Sequence, residues 1–505
     1  MCETDWSHIS EQDLDALLEQ SVPPPPDQIV RQVTPWRRAM NRVLVGSVLC
    51  TLTLQFWNLQ YLLPAIGTVL LLLGFRTLRQ ENRSFRLCYR ASALRCACCI
   101  GSLILNATVW RGAASAWLAA ASTALMLAAL VGLWQGLRAV RRKAGLLPGA
   151  AGAAALTVWY AVLVALGAAH VQGPLLPLLM LAAYGVMLRS VWRLTKELDE
   201  AGYAVQAAPV RLSDGHTAAA LAIVLAVCLA CGYLFAGKYP MHWQETAPTQ
   251  QGGTAEERAR LLSLGFPETV LNDLSPEDLA ACKGALRVTV HTEDMPINDG
   301  RVVRKTSGSG AQRFTTETTV YDHKELRLTS VAVELPDGGT WRVFHHFQWV
   351  EDPGFCGTES IQLWPTYQGI PDGWTQSGGL TGRVLYDRDG KTFAAPYASL
   401  GPETFSSANA FGAAQTSTDI FAAFSMPAKG EWQRGYVAYS ARETQEGYLL
   451  SSWINYTHQV SPLQYPVVTA MEKRMATVWH RAGVFRTVQD ALQFYPSEGP
   501  AEETN

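Results

Sequence analysis

Residues 217–236 read TAAALAIVLAVCLACGYLFA and contain no charged side chain. A helix of 20 residues is about 30 Å long, which matches the hydrocarbon core of a bilayer. The stretch therefore predicts a transmembrane helix. It also marks a boundary, because no apolar run of similar length follows it in the chain.

The chain of 505 residues changes character at this boundary. Residues 1–237 contain 19 Lys and Arg against 12 Asp and Glu, whereas residues 238–505 contain 22 basic and 31 acidic residues. Long apolar runs occur only in the basic half. This division excludes a single soluble domain, a disordered chain and a nucleic-acid binder with a basic patch. It predicts a multi-pass membrane protein that carries a large soluble domain.

Residues 40–237 are predicted to form a domain of about seven transmembrane helices. The predicted segments are 40–57, 59–75, 91–110, 113–137, 147–171, 175–192 and 217–236. The first two are so close that they predict a tight helical hairpin. None of the seven contains Asp or Glu, which argues against a proton- or sodium-coupled carrier. Arg95 and Arg189 are expected near cytoplasmic helix ends, where long side chains reach the lipid headgroups. We favour a helical anchor packed through small residues over a transporter.

The distribution of positive charge predicts the orientation in the cell membrane. Sixteen Lys and Arg flank one set of predicted helix ends, and the opposite short loops contain only Arg111. Short cytoplasmic loops carry the excess of Lys and Arg. The N-terminus is therefore predicted to be cytoplasmic and the C-terminal domain extracytoplasmic. The first apolar run begins near residue 40, too late for a cleaved signal peptide, and is expected to act as an uncleaved insertion signal.

Residues 1–39 are predicted to form a cytoplasmic tail. Ser10 can cap a short acidic helix whose leucines share one face. Four prolines at 23–26 then form a stiff spacer. The helix either docks a cytoplasmic partner or lies against the membrane surface or the cytoplasmic loops.

The tail and the first membrane segments also resemble a known family. The acidic helix, the proline spacer, VTPWRRAMNR at 33–42 and YLLPAIGTVLLLLGFRTLR at 61–79 are similar to an uncharacterised family of bacterial multi-pass membrane proteins. The resemblance covers roughly the first 90 residues. It implies a bacterial protein of the cytoplasmic membrane and brings no activity or catalytic residues.

Beyond a polar linker at 238–254 and a short helical segment at 255–284, the pattern becomes strand-like. Residues 326–335 alternate, turn at Asp337-Gly338-Gly339 and continue at 340–350, which predicts a hairpin. A second hairpin is predicted around Asp387-Arg388-Asp389-Gly390. Residues 285–505 therefore predict a mainly-β extracytoplasmic domain, with a β-sandwich as the expected architecture.

No catalytic signature occurs in this domain. The nucleophile elbow, the HExxH helix, the phosphate-binding loops and the calcium loop are all missing. His345 and His346 are adjacent on a predicted strand, so they point to opposite faces and cannot easily share a metal. One is expected to make a cross-strand contact and the other to be half-buried. Four further histidines are scattered: His291, His323, His458 and His480. The sequence predicts no enzyme, no metal site and no cofactor.

Cys282 and Cys356 are the only cysteines of the predicted external domain. They either form one disulfide, as an oxidising compartment permits, or remain as two buried thiols. The pair Cys228 and Cys231 and the other membrane cysteines are interpreted as packing residues, because no second ligand pair or redox fold accompanies them.

Aromatic residues are the remaining indication of function. Seven tryptophans lie in the strand-rich part: Trp341, Trp349, Trp364, Trp374, Trp432, Trp453 and Trp479. Trp341 and Trp349 share a strand and a parity, which favours the core. Trp374 and Tyr367 lie in a Gly- and Pro-rich stretch and are weak candidates for ligand binding.

These observations predict an integral membrane protein that contacts the bilayer and presents an external β domain to a surface ligand or protein partner. The tail would then report occupancy. The alternative is a passive transport or lipid-handling component with an accessory β domain. A third possibility is an external hydrolase whose site is assembled from distant residues.

Overall fold

A computed structural model describes residues 34–52, 54, 56–110, 112–169, 171, 173, 175–203, 205, 208–246, 254–298, 300–307, 314–369, 373–408, 414–462, 464–475 and 483–497. The predicted tail helix, the proline spacer, Trp479 and His480 lie outside these residues. The chain divides into two compact units. One comprises residues up to 105 together with 110–230, and the other comprises residues 106–109 and those from 231 onward.

The N-terminal part of the chain is helical. Its long helices are α1 Pro35–Thr51, α2 Leu59–Leu78, α3 Arg83–Leu105, α4 Gly112–Lys143, α5 Ala151–Ala168, α6 Leu176–Glu200 and α7 Asp214–Ala236. Six of them, α2 to α7, are long and apolar enough to span a membrane. Helix α1 has only 17 residues and begins with a polar turn that contains Arg37 and Arg38. The prediction of several helices that could span a membrane is therefore confirmed, but the predicted count of seven is not reached by this measure.

Helices α1 and α2 pack closely because glycines face each other. A Cβ atom built on Gly46 would lie 2.7 Å from the carbonyl oxygen of Gly67, and the reverse distance is also 2.7 Å. Any larger side chain would separate the two backbones at this point. Small residues thus permit the close approach that packs helices in a bilayer.

Arg95 differs from its expected position. It lies in α3 with only 8% exposure, so its side chain does not reach toward lipid headgroups. Its Nε donates a hydrogen bond to Ser122 Oγ in α4 at 3.2 Å, and a terminal nitrogen donates to Cys50 Sγ in α1 at 3.2 Å. The prediction for Arg95 is therefore wrong, whereas Arg189 is exposed.

The C-terminal part is mainly β. Its strands are β1 Gln244–Thr246, β2 Arg287–Met295, β3 Arg301–Ser307, β4 Phe314–Val320, β5 Leu326–Glu334, β6 Thr340–Trp349, β7 Thr358–Trp364, β8 Trp374–Gln376, β9 Thr381–Arg388, β10 Lys391–Ala395, β11 Ser399–Ala408, β12 Ala414–Ser425, β13 Glu431–Glu443, β14 Leu450–Gln459 and β15 Phe485–Phe494. The short helices of this part are α8 Thr254–Ser263, α9 Glu268–Asp273, α10 Pro276–Ala280, α11 Thr366–Gly369 and α12 Ala470–Met475.

The described strands form three antiparallel sheets. An eight-stranded sheet has the order β1-β10-β9-β13-β6-β5-β2, with β8 also paired to β13. A five-stranded sheet has the order β11-β12-β7-β14-β15, and β3 and β4 form a separate pair. Both predicted hairpins occur, as β5–β6 and β9–β10. In the second, Asp389 and Gly390 are the two turn residues and both have positive φ, as a two-residue hairpin turn requires.

Side chains from the two larger sheets share one hydrophobic cluster. It includes Val343 and Phe347 of β6 together with Ile361 and Leu363 of β7 and Tyr456 of β14. Neighbouring residues of a strand point to opposite faces of the sheet. On each strand, the residues that alternate with these core residues are therefore directed away from the shared core. That alternation fixes what each sheet presents on its outer face.

Helices α8 to α10 cover the outer face of the eight-stranded sheet. Phe266 and Leu271 pack there against Phe344 and Tyr436. A buried ion pair ties the helices to the sheet, since Arg342 of β6 lies 2.7 Å from an oxygen of Asp278 in α10. The side chains are 5% and 3% exposed.

Asp278 is an ionised carboxylate in an apolar setting. Burial alone would raise the pKa of Asp278, but hydrogen bonds from Thr381 and Tyr436 and the charge of Arg342 outweigh it and hold that pKa below its usual range. The Tyr436 hydroxyl donates at 2.6 Å. Breaking a buried pair by removing one charge leaves the other uncompensated, which is costly.

We predict that Asp278→Asn lowers the free energy of unfolding by about 3–5 kcal/mol, because Arg342 keeps its charge in the buried site. Thermal or denaturant unfolding of the full chain in detergent, followed by tryptophan fluorescence, measures the change. The matched control is Asp294→Asn, since Asp294 pairs with Arg327 at 2.7 Å where the side chains are 35% and 44% exposed. The control should lose less than about 1 kcal/mol. Equal losses in the two variants would contradict this account.

Candidate functional site

The two aromatic residues predicted to bind a ligand lie against the interior of the β unit. Trp374 is 3% exposed, and its Nε1 donates to the carbonyl oxygen of Leu449 at 3.1 Å. Tyr367 is half-buried in α11, with its ring edge-on to Tyr439 at 5.6 Å. Burial raises the pKa of Tyr367 to about 12. Trp374 is too buried to present an open ring face, and the role of both residues in binding stays a prediction.

Cys282 and Cys356 are separate buried thiols in the structure. Cys282 belongs to the cluster beneath the covering helices, whereas Cys356 belongs to the cluster shared by the two sheets. The eight-stranded sheet lies between these clusters, so the disulfide is not formed here. Burial raises the pKa of Cys282 to about 12 and that of Cys356 to about 11.

His345 and His346 point to opposite faces of β6. The His345 ring hydrogen bonds with Ser330 at 2.8 Å and with Ser452 at 2.6 Å, while His346 Nε2 lies 2.8 Å from Asp273 in α9. Both rings are fully buried, so the expectation of a half-buried ring is wrong. Burial lowers the pKa of His345 to about 3, which keeps that ring neutral at physiological pH. These histidines hold the layers of the unit together.

A groove lies on the outer face of the five-stranded sheet, and we name it the tryptophan groove. Its volume of about 620 Å³ lies within the range of small-molecule sites, roughly 300–1,000 Å³. It crosses strands β11, β12, β7 and β14 and is closed on one side by α12. Its lining residues are Gln362, Trp364, Pro365, Thr366, Gln368, Phe405, Ser417, Asp419, Leu449, Ser451, Trp453 and Arg474.

Strand alternation places the two tryptophans in this groove. Ile361 and Leu363 enter the core, so Trp364 is directed outward from β7. Trp453 is directed outward from β14 and lies directly opposite Trp364 in the register. The ring centroids are 6.3 Å apart with planes tilted by 51°, and both side chains are half-buried. The pair forms an angled aromatic surface.

A chain of polar groups lies beside the tryptophans. One oxygen of Asp419 accepts hydrogen bonds from Gln362 Nε2 at 2.5 Å and from Trp364 Nε1 at 2.8 Å. Gln362 Oε1 in turn accepts from Arg474 Nε at 2.5 Å. Burial lowers the pKa of Arg474, and the nearby Asp419 charge opposes that shift. The amide thus links a carboxylate to a guanidinium.

Two groups of this chain remain free to bind a ligand. The second oxygen of Asp419 and the terminal nitrogens of Arg474 make no hydrogen bond to any residue that the structure describes. Carboxylate and guanidinium are planar groups that form charge-assisted and paired hydrogen bonds. Beside an aromatic surface, they suit a ligand with an apolar face and several hydroxyl groups. Asp419 is the one carboxylate among the described residues that line the groove. Enzymes that hydrolyse glycosidic bonds generally use a pair of carboxyl groups.

The residues of the tryptophan groove carry only part of their signal in the local sequence. Trp364 and Trp453 were among the seven tryptophans, and the alternation of Ile361 and Leu363 was a signal that Trp364 points outward. Asp419 and Arg474 gave no local signal, because the pairing of β12 with β7 and the placement of α12 bring them to the groove.

No protein-family model and no curated protein sequence matches the chain.

Proposed function

We propose that the β unit is an extracytoplasmic binding module of a cell-membrane protein and that it binds carbohydrate in the tryptophan groove. The observation that carries this proposal is the Trp364–Trp453 surface beside the Asp419, Gln362 and Arg474 chain. Aromatic rings pack against the apolar faces of ligands, and a few polar groups fix orientation. In this proposal the two larger sheets, which share one core, form a β-sandwich.

The extracytoplasmic location of the β unit is supported by helices α2 to α7 without any contribution from α1. Arg76 and Arg79 follow the apolar part of α2, Arg141 and Arg142 end α4, and Arg193 lies in the polar end of α6. Counting from these cytoplasmic ends, α7 leaves the cytoplasm and the chain beyond it is external. Whether α1 spans the membrane affects the side of the N-terminal tail but not the side of the β unit.

We expect the purified full chain in detergent to bind soluble cell-wall oligosaccharides in a glycan array and in calorimetry. Trp453→Ala should weaken that binding by at least about tenfold, or about 1.4 kcal/mol, since tryptophan is enriched among the few residues that dominate the energy of a binding site. Asp419→Asn should also weaken binding, because it removes the charge that polarises the hydroxyl contacts.

Trp432→Ala is the matched control for these variants. Trp432 is 56% exposed and lies on β13 of the other sheet, outside the groove. Its replacement should leave glycan affinity unchanged. If the wild-type chain binds none of the oligosaccharides, or if the Trp453 and Trp432 variants behave alike, the carbohydrate proposal fails.

A second candidate function is passive movement of anionic lipid through the helical unit. The observation that favours it is Arg95, a buried guanidinium in a membrane helix with no carboxylate partner among the described residues. Ionisable groups inside membrane segments are costly and commonly mark a substrate path. An anionic headgroup would supply the missing charge.

We predict that the chain in liposomes accelerates the transfer of fluorescent phosphatidylglycerol between leaflets and that Arg95→Gln abolishes the acceleration. The physical reason is that glutamine removes the buried charge while keeping a hydrogen-bonding side chain. Arg189→Gln serves as control, because Arg189 is an exposed arginine of a different helix, α6. Transfer that is absent in the wild type, or unchanged in Arg95→Gln, counts against this function.

A further inference from the structure

A group of three ligating side chains lies at one open edge between the two larger sheets. Strand β2 is the last strand of the eight-stranded sheet, and β15 is the last strand of the five-stranded sheet. His291 and Glu293 come from β2, and Asp490 comes from β15. One ligand atom from each lies within 4.8 Å of the others.

The strand register explains why these side chains converge. Glu293 lies opposite Leu328 on β5, and Leu328 belongs to the core cluster shared by the sheets. His291 is two residues away on the same strand and therefore points to the same face. Asp490 lies opposite Ile454 of β14, which is also a core residue. All three side chains are thus directed into the space between the sheets, at its exposed edge.

Asp490 is held in an incomplete environment. It is 6% exposed, and one carboxylate oxygen accepts from the backbone N–H of Ala491 at 2.8 Å and lies 3.0 Å from His291 Nε2. Its other oxygen, Oδ2, is buried and has no hydrogen-bond partner among the residues that the structure describes. Leaving a buried carboxylate oxygen unpartnered costs free energy, so a further group is expected to contact it.

The surrounding charges favour a cation as that group. Oxygen atoms of the Glu293 and Asp490 carboxyl groups and a ring nitrogen of His291 lie within 4.8 Å of one another. The carboxylate of Asp294, the next residue after Glu293, is already paired with Arg327 at 2.7 Å. It is therefore not available to bind the same cation. Two carboxylates and one imidazole therefore meet with no described basic side chain in ion-pair contact with Glu293 or Asp490 other than His291.

We propose that His291, Glu293 and Asp490 form a binding site for a divalent transition-metal ion of the Zn²⁺ class. Zn²⁺ takes imidazole nitrogen and carboxylate oxygen at about 2.0–2.2 Å, commonly as three protein ligands and one open position. Ca²⁺ and Mg²⁺ prefer sites made of oxygen atoms alone, so the histidine selects against them. The ligand atoms lie within 4.8 Å of one another, and the side chains of His291 and Glu293 are exposed and can move inward to reach an ion bound to Asp490.

This site is independent of the carbohydrate groove. Its consequence is mechanical, because a bound ion adds a further link between the edge strands β2 and β15, which the His291–Asp490 contact already joins. Binding to the folded state alone stabilises that state by mass action. Zn²⁺ should therefore raise the unfolding temperature of the β unit.

The test uses the full chain in detergent, treated with EDTA, freed of chelator and titrated with Zn²⁺ in calorimetry. The wild type should bind one equivalent more than Asp490→Asn, and the same equivalent should be lost in His291→Gln and Glu293→Gln. The last two changes are at exposed positions, so they keep the test informative if Asp490→Asn fails to fold. Zn²⁺ should raise the melting midpoint of the wild type and not that of these variants.

Two controls separate this site from other Zn²⁺ binding. His323→Gln removes an exposed histidine that lies 3.4 Å from Glu351 and outside the proposed site, and it should match the wild type. Co²⁺ substitution should show no thiolate absorption for the equivalent in question, which excludes the cysteines. Equal Zn²⁺ stoichiometry in the wild type and in all three ligand variants would overturn the proposal.

Discussion

The alternation of side chains along the strands is the constraint on which the β unit depends. Each strand of the two larger sheets must direct one set of residues into a single shared core, as Phe347 and Leu363 illustrate. The other set is then fixed on an outer face. On the eight-stranded sheet that face is covered by helices and held by Arg342 and Asp278. On the five-stranded sheet it carries the tryptophan groove.

The same constraint explains both proposed binding sites. Trp364 and Trp453 are cross-strand neighbours because β7 and β14 pair in one register, and a slip of one residue would bury them. The side chains of His291, Glu293 and Asp490 point instead to the inner faces of their sheets. They meet where the shared core ends at the sheet edges. The proposed binding groups therefore lie at strand positions outside the packed core, on an outer face or at a sheet edge. The core supplies the rigidity that holds them in place.

Local sequence features predicted much of the fold and little of the sites. The apolar runs predicted seven segments, and six of the resulting helices are long and apolar enough to span a membrane. Turn residues such as Gly338 and Gly390 located two hairpins. These signals lie within a few residues of the structure that they specify. The position of α1 was misjudged, since the helix begins with a polar turn at Pro35 and ends at Thr51, whereas the predicted segment ran from 40 to 57. Arg95 was misplaced because burial by α1 and α4 is a tertiary property.

Groups that are far apart in the chain were beyond sequence reasoning. His291 and Asp490 are separated by 199 positions, and Gln362 and Arg474 by 112. Only the order and register of strands bring them together. Cys282 and Cys356 show the converse, because two cysteines in one domain lie on opposite sides of a sheet.

The central claim is that the β unit and its groove face away from the cytoplasm. Substituted-cysteine labelling in sealed right-side-out membrane vesicles tests it most directly, with wild-type labelling as the baseline. Lys429→Cys, at an exposed position of the β unit, should react with a membrane-impermeant maleimide in intact vesicles. Lys196→Cys, at the polar end of α6, should react only after permeabilisation. Protection of Lys429→Cys until the vesicles are opened would contradict the account.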